Sequence, residues 1–125
     1  LTMTSVDQLA SAAATGQTEY VLTLLQNGCD PNGTNRFGRT PIQVMMMGNT
    51  SVARLLLLYG ANPNLQDVTT GMTPLHDAAS GGFLDTVMIL DQYHADRNIT
   101  DNFNRRPVDL AKANGHEDVV DFLEP

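Results

Sequence analysis

Apolar residues recur along this chain in clusters with helical spacing. Val21, Leu24 and Leu25 form one, Val52, Leu55 and Leu56 a second, and Val87, Ile89 and Leu90 a third. Val119, Val120, Phe122 and Leu123 form the fourth. Each predicts the buried stripe of an amphipathic helix. Ahead of each cluster lies a shorter helical segment, and in three of the four it is marked by small residues: Ala12 and Ala13, Ala78 and Ala79, and Ala111. Small side chains let such helices approach their neighbours closely. Thr40 and Thr73 are expected N-caps, because a hydroxyl can accept from orphan helix N–H groups. Pro41, Pro74 and Pro107 suit the first helical position, where the missing donor costs nothing. Gly16, Gly48, Gly82 and Gly115 are expected to end the first helix of each pair in a left-handed conformation. Gly38, Gly71 and Asn104, which tolerate positive φ, share one column in the loops between pairs.

The helix pairs repeat. Pro41, Pro74 and Pro107 are spaced by 33 residues, and Gln8 occupies the same column one period earlier. The segment Thr73-Pro74-Leu75-His76-Asp77-Ala78-Ala79 nearly reproduces the ankyrin-repeat signature, so the chain resembles an ankyrin-repeat protein. The expected fold is all-α: a solenoid of four stacked helix-turn-helix repeats joined by β-hairpin-like loops. The repeats run over about 7–37, 38–70, 71–103 and 104–125, within one domain spanning 1–125. No single helix pair can bury both its faces, so stability must come from stacking. The end repeats read as capping versions, with Asp7-Gln8 in place of Thr-Pro and Glu117, Asp118, Asp121 and Glu124 on a solvated last helix. His76 is expected to bond near Thr73, and Phe83 to pack. Gln92-Tyr93-His94 stands where a glycine usually ends the second helix, which should weaken that turn.

Repeat two breaks the count. Asp7 to Gly28 and Thr73 to His94 are each 21 residues apart, but Thr40 to Gly60 is only 20. The loop restores the period: Asn32 to Thr40 and Asn98 to Arg106 are 8 apart, and Asn64 to Thr73 is 9. The first helix of repeat two is therefore expected to be shortened by one residue. It carries Val44-Met45-Met46-Met47 where its neighbours have alanines. Successive helical residues point about 100° apart, so at least one methionine must face outward. Flexible, polarizable methionine suits an adaptable contact surface, and the competing role is to fill the gap left by a helix too short to pack normally.

Composition narrows the function. The 125 residues include seven basic and fourteen acidic side chains, a net charge of −7, with 42% hydrophobic residues. That balance disfavours nucleic acid, whose phosphates need a basic footprint, and suits a partner bearing Arg or Lys. Cys29 is the only cysteine, which excludes an intrachain disulfide and points to a reducing compartment. No run of 18 apolar residues occurs, and residues 1–15 lack a basic-then-apolar pattern, so neither membrane span nor signal peptide is expected. Three Asn-x-Ser/Thr triplets are read as chance matches. The scattered His76, His94 and His116 form no nucleophile–base set, and no phosphate-binding glycine loop is present. Neither catalysis nor a cofactor is expected.

Arg36-Phe37-Gly38-Arg39, followed by Pro41-Ile42-Gln43-Val44-Met45-Met46-Met47-Gly48, is similar to the four-repeat ankyrin inhibitors of D-type cyclin-dependent kinases. So are Leu55-Leu56-Leu57-Leu58, His76-Asp77-Ala78-Ala79 with Gly82-Phe83-Leu84-Asp85-Thr86, and Pro107-Val108-Asp109-Leu110-Ala111. The resemblance covers nearly the whole chain. It implies a monomeric tumour suppressor of cytoplasm and nucleus that binds the D-type-cyclin kinase subunit beside its ATP cleft and arrests the cell cycle in G1. Carried onto matching positions, the implied contacts are Asp77, Met46, Asp67, Asp85 and Glu19. Asp77 leads, as the acid that pairs with a kinase arginine. A solvated or capping role competes at Asp77, a turn role at Asp67 and a helix-dipole role at Asp85. A general ankyrin adaptor or transcription-factor inhibitor is the rival reading, since it shares the fold.

Overall fold

The computed structural model describes residues 4–125, and all regular structure among them is helical. The helices are α1 (Ser5–Ala14), α2 (Thr18–Gln26), α3 (Pro41–Val44), α4 (Thr50–Leu58), α5 (Pro74–Gly81), α6 (Leu84–Gln92), α7 (Pro107–Ala113) and α8 (Glu117–Leu123). They fall into two compact units, Leu1–Asn62 and Pro63–Pro125, each holding two helix pairs.

In the first unit α1 packs on α2 and α3, and α2 packs on α4. Leu9, Val21, Ile42, Val52 and Leu56 are wholly buried there. In the second, α5 packs on α6 and α7, and α8 on α6 and α7, around Leu75, Val87, Leu90 and Val119. Each such side chain contributes about 1.5–3 kcal/mol by leaving water. The stripes are the ones read from the sequence, except that Leu55, Val120 and Phe122 are only half-buried.

The loops between repeats are hairpin-like without forming strands. Asn35 N donates to Arg39 O at 2.8 Å and Asp101 N to Arg105 O at 2.9 Å. The loop one residue longer closes from Asp67 N to Met72 O at 2.8 Å. One side-chain oxygen organises each tip. Asn35 Oδ1 accepts from Phe37 N and Arg39 N, and Asp101 Oδ1 from Phe103 N and Arg105 N. Asp67 Oδ1 accepts from Thr69 N and Thr70 N. Gly38, Gly71 and Asn104 take positive φ as expected.

Two expectations change. Gly48 does not adopt the left-handed conformation that Gly16, Gly82 and Gly115 take. The turn at His94 keeps the geometry of its counterparts, so its weakening takes the form of strain and not of a lost bond: His94 itself adopts φ +71, and Ala95 N donates to Leu90 O at 3.0 Å. Cys29 N to Leu24 O and Ala61 N to Leu56 O are the same bond in the earlier repeats. The geometry survives the missing glycine, and the cost moves into the left-handed backbone of a residue with a Cβ.

Candidate protein-interaction sites

In the first unit the site is built on an interrupted helix. Thr40 N donates to Gln43 Oε1 at 2.8 Å, closing the N-terminal turn of α3. The helix then stops at Val44 after four residues, far shorter than the loss of one residue predicts. Continuing it would send the Met46 N–H to the carbonyl of Ile42, four residues back. Instead Met45 is extended (ψ 157°), and Met46 N donates to Ala13 O of α1 at 3.2 Å. Asn49 N returns to Met46 O at 3.0 Å, and Asn49 Oδ1 caps α4 by accepting from Val52 N. A hydrogen bond between repeats has replaced one within the helix.

The methionines therefore lie on a strap, not a helix. Met45 is buried, Met46 is 50% exposed and Met47 is half-buried. One methionine does face outward, but because of extended backbone and not helical rotation. The Met46 sulfur lies against Gly16: a Cβ there would stand 2.8 Å from it. Gly16 also has φ +70, so two separate demands select glycine. Glu19 is exposed in the first turn of α2, where a carboxylate favours the helix dipole.

In the second unit, α5 is anchored by His76. Thr73 N donates to His76 Nδ1 at 3.1 Å, which leaves the proton on Nε2 to donate to Arg105 O at 2.8 Å. The imidazole is wholly buried, and burial pushes its pKa below the ordinary value, so it stays neutral. This is the structural role expected for His76. The next residue, Asp77, is half-buried in the first turn of α5. Burial raises its pKa to about 6, with the charge of Asp67 adding to the effect. Asp67 has one oxygen in its own loop turn, so the competing turn role is real, yet its charge still acts on Asp77. Asp85 is exposed on another helix, in the first turn of α6. Of the five residues implied by resemblance, the structure couples Asp67 with Asp77.

The ankyrin-repeat family model (three copies) matches residues 9–101 and again residues 44–124. The chain is 56% identical over 115 residues to the cyclin-dependent kinase 4 inhibitor B of Rattus norvegicus, covering 92% of this chain and 88% of that protein. To the Homo sapiens protein of the same name it is 55% identical over 119 residues, 95% of this chain and 86% of the other. Cyclin-dependent kinase inhibitor 2A of Homo sapiens is 52% identical over 119 residues, 95% of this chain and 76% of that protein. The chain belongs to the ankyrin-repeat cyclin-dependent kinase inhibitors. The family resemblance carried by the Val44–Gly48 run is thus shown.

Sequence reasoning passed over three side chains that a family of protein binders makes relevant. Phe37, Val68 and Phe103 sit at loop tips and are among the most exposed large apolar residues. Arg36 lies over the Phe37 ring at 5.7 Å, and Arg105 over Phe103 at 5.2 Å. Aromatic and arginine side chains are favoured anchors in protein interfaces. The signal was available in the aromatic residue directly preceding the left-handed position, in Phe37-Gly38 and Phe103-Asn104. Phe83, expected to pack, covers Gly81 with its ring but remains 42% exposed.

Proposed function

We propose that this protein inhibits a D-type-cyclin-dependent kinase by binding to it as a monomer, without catalysis and without a cofactor. In this reading it sits beside the ATP cleft of the kinase subunit and twists the two lobes apart. Cyclin and ATP binding then weaken, and cells stop in G1. It acts in the cytoplasm and nucleus and uses neither nucleic acid nor membrane. The names of its relatives, inhibitors of cyclin-dependent kinase 4 among them, support the partner class.

The observation that carries the reading is the Asp77 carboxylate. Burial and the charge of Asp67 both oppose its ionisation. A guanidinium from a partner offsets both, and a carboxylate–guanidinium pair can be bidentate. At neutral pH the free protein therefore holds an ionised carboxylate at a cost, which a docking cation offsets. Met46 and Glu19 in the first unit, and Asp85 in the second, complete the proposed contact set.

The test is a binding assay with purified D-type-cyclin kinases beside a mitotic-type kinase as control. Selective binding of the D-type class, with loss of kinase activity, is expected. Binding to neither class at micromolar concentration would sink the reading and leave a general ankyrin adaptor in its place.

A further inference from the structure

We propose that Met46 is an oxidation site: peroxide converts its thioether to the sulfoxide in the free protein, and the change weakens kinase binding. The second half rests on the kinase-inhibitor reading above. Met46 is 50% exposed and Met88 45%, whereas Met45 is 4% exposed. Oxidation follows access, so Met46 and Met88 react ahead of Met45. Hydrogen peroxide gives one oxygen to the Met46 sulfur. The S–O bond forms as the O–O bond breaks, the sulfur is oxidised, and the peroxide leaves as water after taking up the proton of the transferred oxygen.

Met46 and Met88, the most exposed methionines among the described residues, differ in consequence. Met88 projects from the exposed side of α6, a nine-residue helix. A polar atom there stays in water. Met46 belongs to a strap whose backbone is tied to α1 by the bond from Met46 N to Ala13 O. Its sulfur lies against Gly16, so near that even a Cβ would collide. An added oxygen crowds Gly16, turns the side chain away or points into solvent. Each outcome replaces an adaptable apolar contact by a polar, differently shaped one.

The experiment treats the folded protein with hydrogen peroxide, removes the excess with catalase, and maps sulfoxide by peptide mass spectrometry. Affinity for a purified D-type-cyclin kinase is measured before and after. Sulfoxide is expected at Met46 and Met88 before Met45, with affinity falling about tenfold in step with Met46. Sulfoxide reductases should restore it. Kinase bound beforehand should protect Met46 and leave Met88 reactive. Met88→Leu should lose affinity on treatment as the parent does. Met46→Leu, whatever its starting affinity, should bind equally before and after, although Cys29 is still present. The proposal fails if Met46 reacts no sooner than Met45, if its sulfoxide leaves affinity unchanged, or if Met46→Leu loses affinity like the parent. If the untreated protein binds no kinase, the inhibitor reading and the second half fall together, while the sulfoxide map still decides the first half.

Discussion

Replacing Asp77 by Asn should stabilise the free protein while weakening its binding. The fold holds the Asp77 carboxyl at about 6, against about 3.9 in an unfolded chain. Below pH 3.9 the group is neutral in both states and costs nothing. Between pH 3.9 and 6 the folded state binds the proton more tightly, so stability falls as pH rises. Above pH 6 the full penalty is present. Two pKa units set a ceiling of about 3 kcal/mol, and solvent reaching this half-buried group screens it to about 1–2 kcal/mol. Asn keeps the shape without the charge, so Asp77→Asn should gain about 1–2 kcal/mol at pH 7.5 and nothing at pH 3.5, read from urea melts at several pH values. Binding runs the other way, because the proposed partner guanidinium needs the ionised form. The parent should lose roughly tenfold in kinase affinity between pH 7.5 and pH 5, as Asp77 takes up its proton. Asp77→Asn should bind more weakly at pH 7.5 and lack that part of the pH dependence. A variant destabilised by more than 1 kcal/mol at pH 7.5, or showing the parent's slope of stability against pH, would refute the electrostatic account.

Three further outcomes can be checked alongside. Gly16→Ala should cost at least about 1–2 kcal/mol in chemical denaturation, because the position has φ +70 and its new Cβ would meet the Met46 sulfur. His94→Gly should stabilise by about 0.5–1 kcal/mol, a rise of roughly 2–4 °C in Tm, since glycine relieves the left-handed backbone and the loop bond from Asn64 reaches only the His94 main chain. Hydrogen exchange should show the first two repeats opening before the last two, because α3 offers one helical turn where α5 and α7 offer eight and seven residues. Equal protection in the two pairs would contradict that last reasoning.

The features legible in the sequence are those for which one residue meets one local demand. Pro74 after Thr73 reads as a helix start because both act within a single turn. Gly38, Gly71 and Asn104 read as loop corners because few residue types accept positive φ. Counting residues correctly located the irregularity in repeat two, yet gave the wrong helix length. A count preserves register, whereas α3 ends where the Met46 N–H finds the Ala13 carbonyl, 33 residues back in the chain. Choosing between two acceptors depends on packing, and spacing carries no record of it. Asp77 shows the same limit in electrostatics. Its identity was visible, but its raised pKa depends on burial in the stack and on a carboxylate in the preceding loop. The His94 turn shows the converse. A missing glycine suggested a weak turn, but the surrounding bonds from His94 N to Asp91 O and from Ala95 N to Leu90 O hold the conformation. Local strain of about 1–2 kcal/mol is small beside the burial of Leu90 and its neighbours, so tertiary packing decides the backbone there. The same inequality explains how the fold accommodates an unfavourable acid at Asp77. Hydrophobic stacking in the second unit exceeds the electrostatic cost, and the proposed partner guanidinium would recover that cost.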